Sequence, residues 1–173
     1  MTLPNALSAA RALLVIPVIA LIAIGDVSSA LVVFLGAAAT DALDGPLARR
    51  RGTTALGAAL DPLADKILVV GALAALALRG LAPGWAVVLI FVRELVAIEL
   101  RARSPHAVDA GADGKAKMVL QVAAIALLMA TAAWPAASLA TAANALLVAA
   151  AALTVLSGVR LVLRAKQTTA DPA

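Results

Sequence analysis

The chain has 173 residues, of which 64% are hydrophobic and only 14% are charged, and its mean hydropathy is +1.03. Soluble domains are typically about half apolar and about a quarter charged, so this composition excludes a soluble domain and indicates a membrane protein. The formal net charge of +4 suits an anionic lipid surface, and the absence of cysteine excludes disulfides and thiolate metal sites.

Long apolar runs predict an all-α, polytopic membrane protein with six transmembrane helices, since roughly 20 residues cross a bilayer. In chain order these helices cover about residues 12–24, 29–48, 56–78, 85–100, 116–133 and 138–163. A short interfacial helix, residues 3–11, leads into the first of them. Residues 1–166 therefore form a single membrane domain, and residues 167–173 form a polar C-terminal tail.

The basic residues predict the orientation of this domain. Nearly all lysines and arginines fall on one side of the six-helix topology, and the opposite loops carry only Arg79. By the positive-inside rule, both termini of a multi-pass protein of the cell (inner) membrane then face the cytoplasm. The basic residues end apolar runs instead of forming a patch, which argues against nucleic acid as a partner. Residues 1–25 could alternatively be a cleaved signal peptide, but its loss would disrupt the charge pattern.

Four aspartates occur between positions 41 and 65 of this apolar chain. Asp41 and Asp44 are spaced i, i+3 in the second predicted helix, and Asp61 and Asp65 are spaced i, i+4 in the third, so each pair shares a helical face. A membrane-buried aspartate costs about 2.5 to 3.5 kcal/mol, so four converging carboxylates need cations or protons. Oxygen ligands alone favour Mg²⁺, Mn²⁺ or Ca²⁺, and two such ions suit phosphoryl chemistry near the cytoplasmic face.

Glycines and competing structural roles also bear on these carboxylates. Gly45 and Gly57 each lie one turn from an aspartate, where bare backbone lets a bulky ligand approach. Asp61 could instead cap the third helix, and the first aspartate pair could form salt bridges with residues 49–51. A set of four paired aspartates with flanking glycines favours the metal site over these roles.

The same stretch resembles the signature of the CDP-alcohol phosphotransferase family, D-x2-D-G-x2-A-R-x8-G-x3-D-x3-D. Every specified residue is present, as Asp41, Asp44, Gly45, Ala48, Arg49, Gly57, Asp61 and Asp65. The chain departs from the signature once, because seven residues instead of eight separate Arg49 from Gly57. The shorter segment falls in the predicted loop between the helices, so the site is expected to survive with a tighter turn.

The resemblance implies a function for each signature residue. The four aspartates would hold two divalent ions, Mg²⁺ or Mn²⁺, and Asp65 would also be the general base that takes the acceptor hydroxyl proton. The donor CDP-diacylglycerol would be bound by Asp44, Gly45, Ala48, Arg49 and Gly57. Attack by the acceptor on the β-phosphorus would release CMP in one displacement, without a covalent enzyme intermediate. A homodimer is expected on the resemblance alone.

Further segments resemble the phosphatidylglycerophosphate synthases of that family. They are LPNALSAARALLVIPV (residues 3–18), DPLADK (61–66), RELVAIELR (93–101) and GKAKMVLQ (114–121). This likeness implies transfer of a phosphatidyl group to glycerol 3-phosphate, which gives phosphatidylglycerol phosphate. The acceptor phosphate would bind a basic group formed by Arg93, Arg101, Lys115 and Lys117.

Four alternatives compete with this interpretation. A cardiolipin synthase of the same family would use phosphatidylglycerol as its acceptor. A phosphatidylinositol phosphate synthase would use inositol 1-phosphate, but the Gly-Lys-x-Lys segment is not typical of those enzymes. A small divalent-cation transporter would also need membrane carboxylates, although it would not explain the glycines and arginine beside them. Finally, Arg93 could simply pair with Glu94 or Glu99, while the other cations mark the cytoplasmic face.

Overall fold

Alanine, leucine and valine dominate the apolar runs, and alanine and leucine are strong helix formers. The computed structural model describes the backbone of residues 3–51, 55–103 and 112–170, and the side chains of residues 9–40, 66–100 and 117–163. The described backbone contains six α-helices and no strand, which confirms the predicted all-α class. The helices are α1 (Leu3–Ile24), α2 (Val27–Arg51), α3 (Ala55–Leu78), α4 (Gly84–Arg103), α5 (Ala112–Ala133) and α6 (Ala137–Ala170).

The bounds of the first and the last helix differ from the predicted ones. The expected interfacial helix and the first predicted span form one continuous helix, α1, because no glycine or proline interrupts residues 5–16. Helix α6 continues to Ala170 and so enters the predicted polar tail, because no proline follows until Pro172. Polar side chains alone do not end a helix when the backbone can continue.

The turn between α1 and α2 is built from one glycine and one capping aspartate. Gly25 has a positive φ of 94°, a conformation that glycine adopts without steric cost. Asp26 then caps α2, since its Oδ1 accepts hydrogen bonds from the Ser29 backbone N–H (3.1 Å) and the Ser28 hydroxyl (2.9 Å). Hydrogen bonds from the side chain and backbone of Ser29, and from Ser28, hold the pKa of Asp26 below its ordinary value.

Arg79, the basic residue on the predicted outer side, has a structural partner in this turn. Its Nη1 donates a hydrogen bond of 3.0 Å to the carbonyl oxygen of Ala23, in the last turn of α1. A cation at this position satisfies a carbonyl that has no partner inside the helix and complements the helix dipole. The side chain therefore ties the end of α3 to the end of α1.

The six helices pack around a core in which α1 and α3 are close neighbours. Helix α1 also contacts α2, α5 contacts α2 and α6, and α4 lies against α3 and α6. Gly71 of α3 permits close approach to α1, because a Cβ at this position would lie only 2.6 Å from Cγ2 of Val15. The α1–α3 contact thus fixes the helix that carries Asp61 and Asp65.

Not all six predicted membrane spans have a described helix that is long and apolar enough to cross a membrane. Within the described residues, one stretch, Ala137–Leu163, is long and apolar enough to cross a membrane. Four shorter apolar stretches are Ala9–Ile24, Val27–Thr40, Lys66–Leu78 and Lys117–Ala133. The helix exteriors are nevertheless apolar, since Leu13 is 63% exposed, Val32 71% and Val119 67%.

Candidate functional site

The backbone places the signature aspartates in two neighbouring helices. Asp41 and Asp44 belong to α2, Asp61 and Asp65 belong to α3, and the two helices are in contact. Helix α3 already begins at Ala55, so Asp61 lies inside the helix and does not cap it. The proposed capping role of Asp61 is therefore wrong, which removes one structural alternative to the metal site.

The side chains of all eight signature residues lie outside the described part of the structure. These residues are Asp41, Asp44, Gly45, Ala48, Arg49, Gly57, Asp61 and Asp65. Their convergence on two metal ions and on the donor stays a prediction. Among the side chains that are described, no group of three or more histidine, cysteine, aspartate or glutamate residues could hold a metal ion.

Immediately after Asp65, a cluster of charged side chains surrounds Glu94 of α4. Oε2 of Glu94 lies 2.9 Å from Nζ of Lys66, and its Oε1 lies 3.1 Å from Nη1 of Arg93. Oε1 also forms an ion pair with Nζ of Lys117. One carboxylate thus joins cations from three helices, α3, α4 and α5. These four residues are called the Glu94 cluster below.

The Glu94 cluster lies inside the helix bundle. The Glu94 and Lys117 side chains are each only 8% exposed, and that of Arg93 is 14% exposed. Removing charges from water costs several kcal/mol per ion, so such groups persist only with close partners. The Glu94 cluster contains three cations and one carboxylate, so it has an excess of two positive charges.

A hydrogen-bonded layer extends the Glu94 cluster to α6. Nη2 of Arg93 lies 3.2 Å from Oγ of Ser157, whose hydroxyl donates to the Thr154 carbonyl at 3.0 Å. Nε2 of Gln121 donates to Oγ1 of Thr154 at 3.1 Å, so α5 and α6 are joined as well. Polar groups from α3, α4, α5 and α6 therefore meet at one level of an otherwise apolar bundle.

The structure brings together two of the four residues predicted to bind an acceptor phosphate. Arg93 and Lys117 meet at Glu94, whereas the side chains of Arg101 and Lys115 lie outside the described part. Arg93 faces the bundle interior, as expected from the cost of an unpaired arginine in a membrane. The expected ion pair between Arg93 and Glu94 is also present, while the assignment of these cations to a phosphate stays a prediction.

The sequence interpretation missed Lys66 and the polar residues of α5 and α6. Lys66 lies in the DPLADK segment, whose resemblance assigns it no role. Helical spacing offered a signal for the others, because Lys117 and Gln121 are i, i+4 and Thr154 and Ser157 are i, i+3. Each pair shares a helical face, so one polar face could have been predicted on each of these two helices.

An open groove of about 730 Å³ lies between α4 and α6, beside the Glu94 cluster. Its walls are mostly apolar side chains such as Val92 and Val159, and Arg93 and Thr154 contribute the polar edge. Gly158 opposes Arg93, and a Cβ there would lie 3.4 Å from Cγ of the arginine. Arg93 therefore lines this groove and also contacts Glu94.

Comparisons with known proteins agree with the signature. The family model described as CDP-alcohol phosphatidyltransferase matches residues 1–157. A "Probable phosphatidylglycerophosphate synthase" of Mycobacterium tuberculosis is 40% identical over 100 residues, which are 56% of this chain and 48% of that protein. A "CDP-diacylglycerol--glycerol-3-phosphate 3-phosphatidyltransferase" of Bacillus subtilis is 40% identical over 102 residues, which are 57% of this chain and 53% of that protein.

A more distant relative carries a different name. A "Probable cardiolipin synthase (CMP-forming)" of Drosophila melanogaster is 35% identical over 97 residues, which are 55% of this chain and 30% of that protein. The chain spans about half the length of the bacterial relatives that it matches.

Proposed function

Because the chain belongs to the CDP-alcohol phosphatidyltransferase family, we propose that it transfers a phosphatidyl group from CDP-diacylglycerol to glycerol 3-phosphate. The products are phosphatidylglycerol phosphate and CMP, and the reaction is a step of phospholipid synthesis. The observation that carries this proposal is the complete set of signature residues between Asp41 and Asp65, within a family match that covers most of the chain. The names of the two bacterial relatives support glycerol 3-phosphate as the acceptor.

The enzyme is proposed to work as a six-span protein of the cell (inner) membrane with both termini in the cytoplasm, and to form a homodimer. The apolar helix exteriors and the buried polar layer support this arrangement, because a lipid-embedded bundle keeps its charged groups inside. In this topology the four aspartates would lie on the cytoplasmic side of the membrane, where a soluble acceptor is available.

The donor half of the site is assigned to α2 and α3. Oxygen-only donors in two contacting helices fit two Mg²⁺ or Mn²⁺ ions, which would be held by Asp41, Asp44, Asp61 and Asp65. Such ions supply neutralising charge for the pyrophosphate and for the departing CMP. Gly45 would let the nucleotide pack against α2, Arg49 would reach a phosphate, and Ala48 and Gly57 would complete the donor-binding set.

The acceptor half is assigned to the basic residues of α4 and α5. Arg93 and Lys117, together with Arg101 and Lys115, bind the phosphate of glycerol 3-phosphate. The excess positive charge of the Glu94 cluster supports this assignment, since a phosphate monoester carries close to two negative charges near neutral pH. Asp65 takes the proton from the acceptor hydroxyl, because a primary alcohol is a poor nucleophile until it is deprotonated.

An acceptor assay tests the reaction. Purified protein in lipid is given CDP-diacylglycerol, Mg²⁺ and one of three acceptors: glycerol 3-phosphate, phosphatidylglycerol or inositol 1-phosphate. We expect CMP release with glycerol 3-phosphate. Turnover of phosphatidylglycerol alone would identify a cardiolipin synthase, the activity named for the Drosophila relative.

A transport assay in sealed vesicles tests the cation-transporter alternative. Protein that releases no CMP with any acceptor, yet moves Mg²⁺ or Mn²⁺ across sealed vesicles, would contradict an enzyme. Protein that releases CMP without moving these ions would exclude the transporter.

A further inference from the structure

We infer that Glu94 is a positioning residue, which holds Lys66, Arg93 and Lys117 on one phosphate-binding surface next to Asp65. The inference rests on the proposed function and extends it in two ways. It adds Lys66 to the groups that bind the acceptor phosphate. It also gives Glu94 a role in acceptor binding that it performs through its neighbours, without touching the substrate.

The first support is the way in which the three cations share one carboxylate. Lys66 of α3 contacts Oε2, while Arg93 of α4 and Lys117 of α5 both contact Oε1. The three cations would repel one another without an anion between them. Lysine side chains are also flexible, so a common anchor removes motion that phosphate binding would otherwise have to remove.

The second support is the charge of the Glu94 cluster. One cation is enough to neutralise a buried carboxylate, yet the structure places three cations around Glu94. A purely structural ion pair does not need the other two. Their excess charge matches a phosphate dianion, and the donors already point to a common centre.

The third support is the position of the Glu94 cluster in the fold. Lys66 directly follows Asp65, the proposed base, so the cluster begins at the next residue of α3. Arg93 is held from its other side by Ser157 of α6, at 3.2 Å. A short phosphorylated alcohol could therefore place its phosphate on the cluster and its hydroxyl toward α3.

Charge balance and positioning predict opposite effects of the substitution Glu94→Gln. If Glu94 only neutralises its neighbours, the glutamine variant has three unopposed cations and binds an anionic acceptor more tightly. If Glu94 positions the cations, the variant lets them separate and binds the acceptor more weakly. The direction of the change in KM for glycerol 3-phosphate therefore distinguishes the two roles.

The experiment measures kcat and both KM values for wild type, Glu94→Gln and the matched control Glu99→Gln. Glu99 is an exposed residue of the same helix and is not a member of the Glu94 cluster. Its substitution therefore makes the same Glu-to-Gln change outside the cluster. We expect Glu94→Gln to raise the KM for glycerol 3-phosphate about 10- to 100-fold, as is typical when a group that orients a binding residue is lost. The KM for CDP-diacylglycerol should stay within about twofold of wild type, and inorganic phosphate should inhibit the variant correspondingly less.

An unchanged or lower KM for glycerol 3-phosphate in Glu94→Gln would overturn the inference. If this variant does not fold, Glu94→Asp decides instead, because it keeps the charge but is too short to contact all three cations. A selective rise in the acceptor KM of Glu94→Asp supports positioning, and an unchanged value overturns it. Wild type that does not use glycerol 3-phosphate would refute the proposed function itself, whereas normal wild-type turnover beside an unaffected variant refutes only the inference.

Discussion

Substitution of Gly71 by alanine tests the contact that fixes α3 against α1. The added Cβ would lie 2.6 Å from Cγ2 of Val15 and 3.5 Å from Cδ1 of Ile19. The first distance is far below van der Waals contact, and a valine side chain in a helix has one strongly preferred rotamer, so the helices must move apart. Overpacking of this kind typically costs about 1 to 3 kcal/mol.

Helix propensity acts in the opposite direction and needs a control. Alanine is favoured over glycine inside a helix by about 1 kcal/mol, which could mask part of the packing cost. Gly36 of α2 provides the matched substitution, because a Cβ there meets nothing within 4 Å. The difference in stability between Gly71→Ala and Gly36→Ala therefore isolates the packing cost of about 1 to 3 kcal/mol.

Thermal unfolding in detergent, followed by tryptophan fluorescence, measures this difference. A chain of this size changes its Tm by about 2 to 4 °C per kcal/mol, so Gly71→Ala should melt about 2 to 12 °C below Gly36→Ala. The Gly71 variant should also lose transferase activity at lower temperature, since α3 carries Asp61 and Asp65. Equal Tm values for the two variants would refute the close α1–α3 packing.

Further predictions concern the proposed reaction. Asp44→Asn should abolish most CMP release and shift the Mg²⁺ dependence, and full activity with an unchanged Mg²⁺ titration would contradict the metal site. Asp65→Asn should lower kcat about 10²- to 10⁴-fold while CDP-diacylglycerol still binds; a trapped phosphatidyl-enzyme adduct would disprove the single displacement. Arg93→Ala and Arg101→Ala should each raise the KM for glycerol 3-phosphate about 10- to 100-fold, and normal values in folded protein would refute the acceptor assignment. Cross-linking in lipid should yield a dimer, and monomer alone would count against it.

Helix number and order could be predicted from the sequence because long apolar runs and short turns carry that information locally. The break at Gly25-Asp26 is an example, since a glycine with positive φ and a capping aspartate both act within a few residues. The two helix ends that differ most from the prediction, in α1 and α6, lack such local signals. Polarity changes at residue 11 and residue 167, but the backbone has no reason to stop there.

Part of the candidate site could likewise be predicted from local sequence, and part could not. The aspartate spacing within each helix is local, so the two pairs could be recognised from the sequence. The ion pairs of Glu94 with Lys117 and Lys66 join residues that are 23 and 28 positions apart. Only helix packing brings these residues together, and no spacing rule within one helix predicts such a contact.

The Glu94 cluster also shows how a bundle with an apolar exterior accommodates charged residues. Lys66 and Lys117 belong to α3 and α5, and α4 carries Arg93 and Glu94 near its middle. These are the four members of the Glu94 cluster. The structure places their charges against one another, away from the apolar helix exteriors. A bundle with this arrangement can expose an apolar surface to lipid while it keeps a charged site inside, as the proposed binding of an anionic acceptor requires.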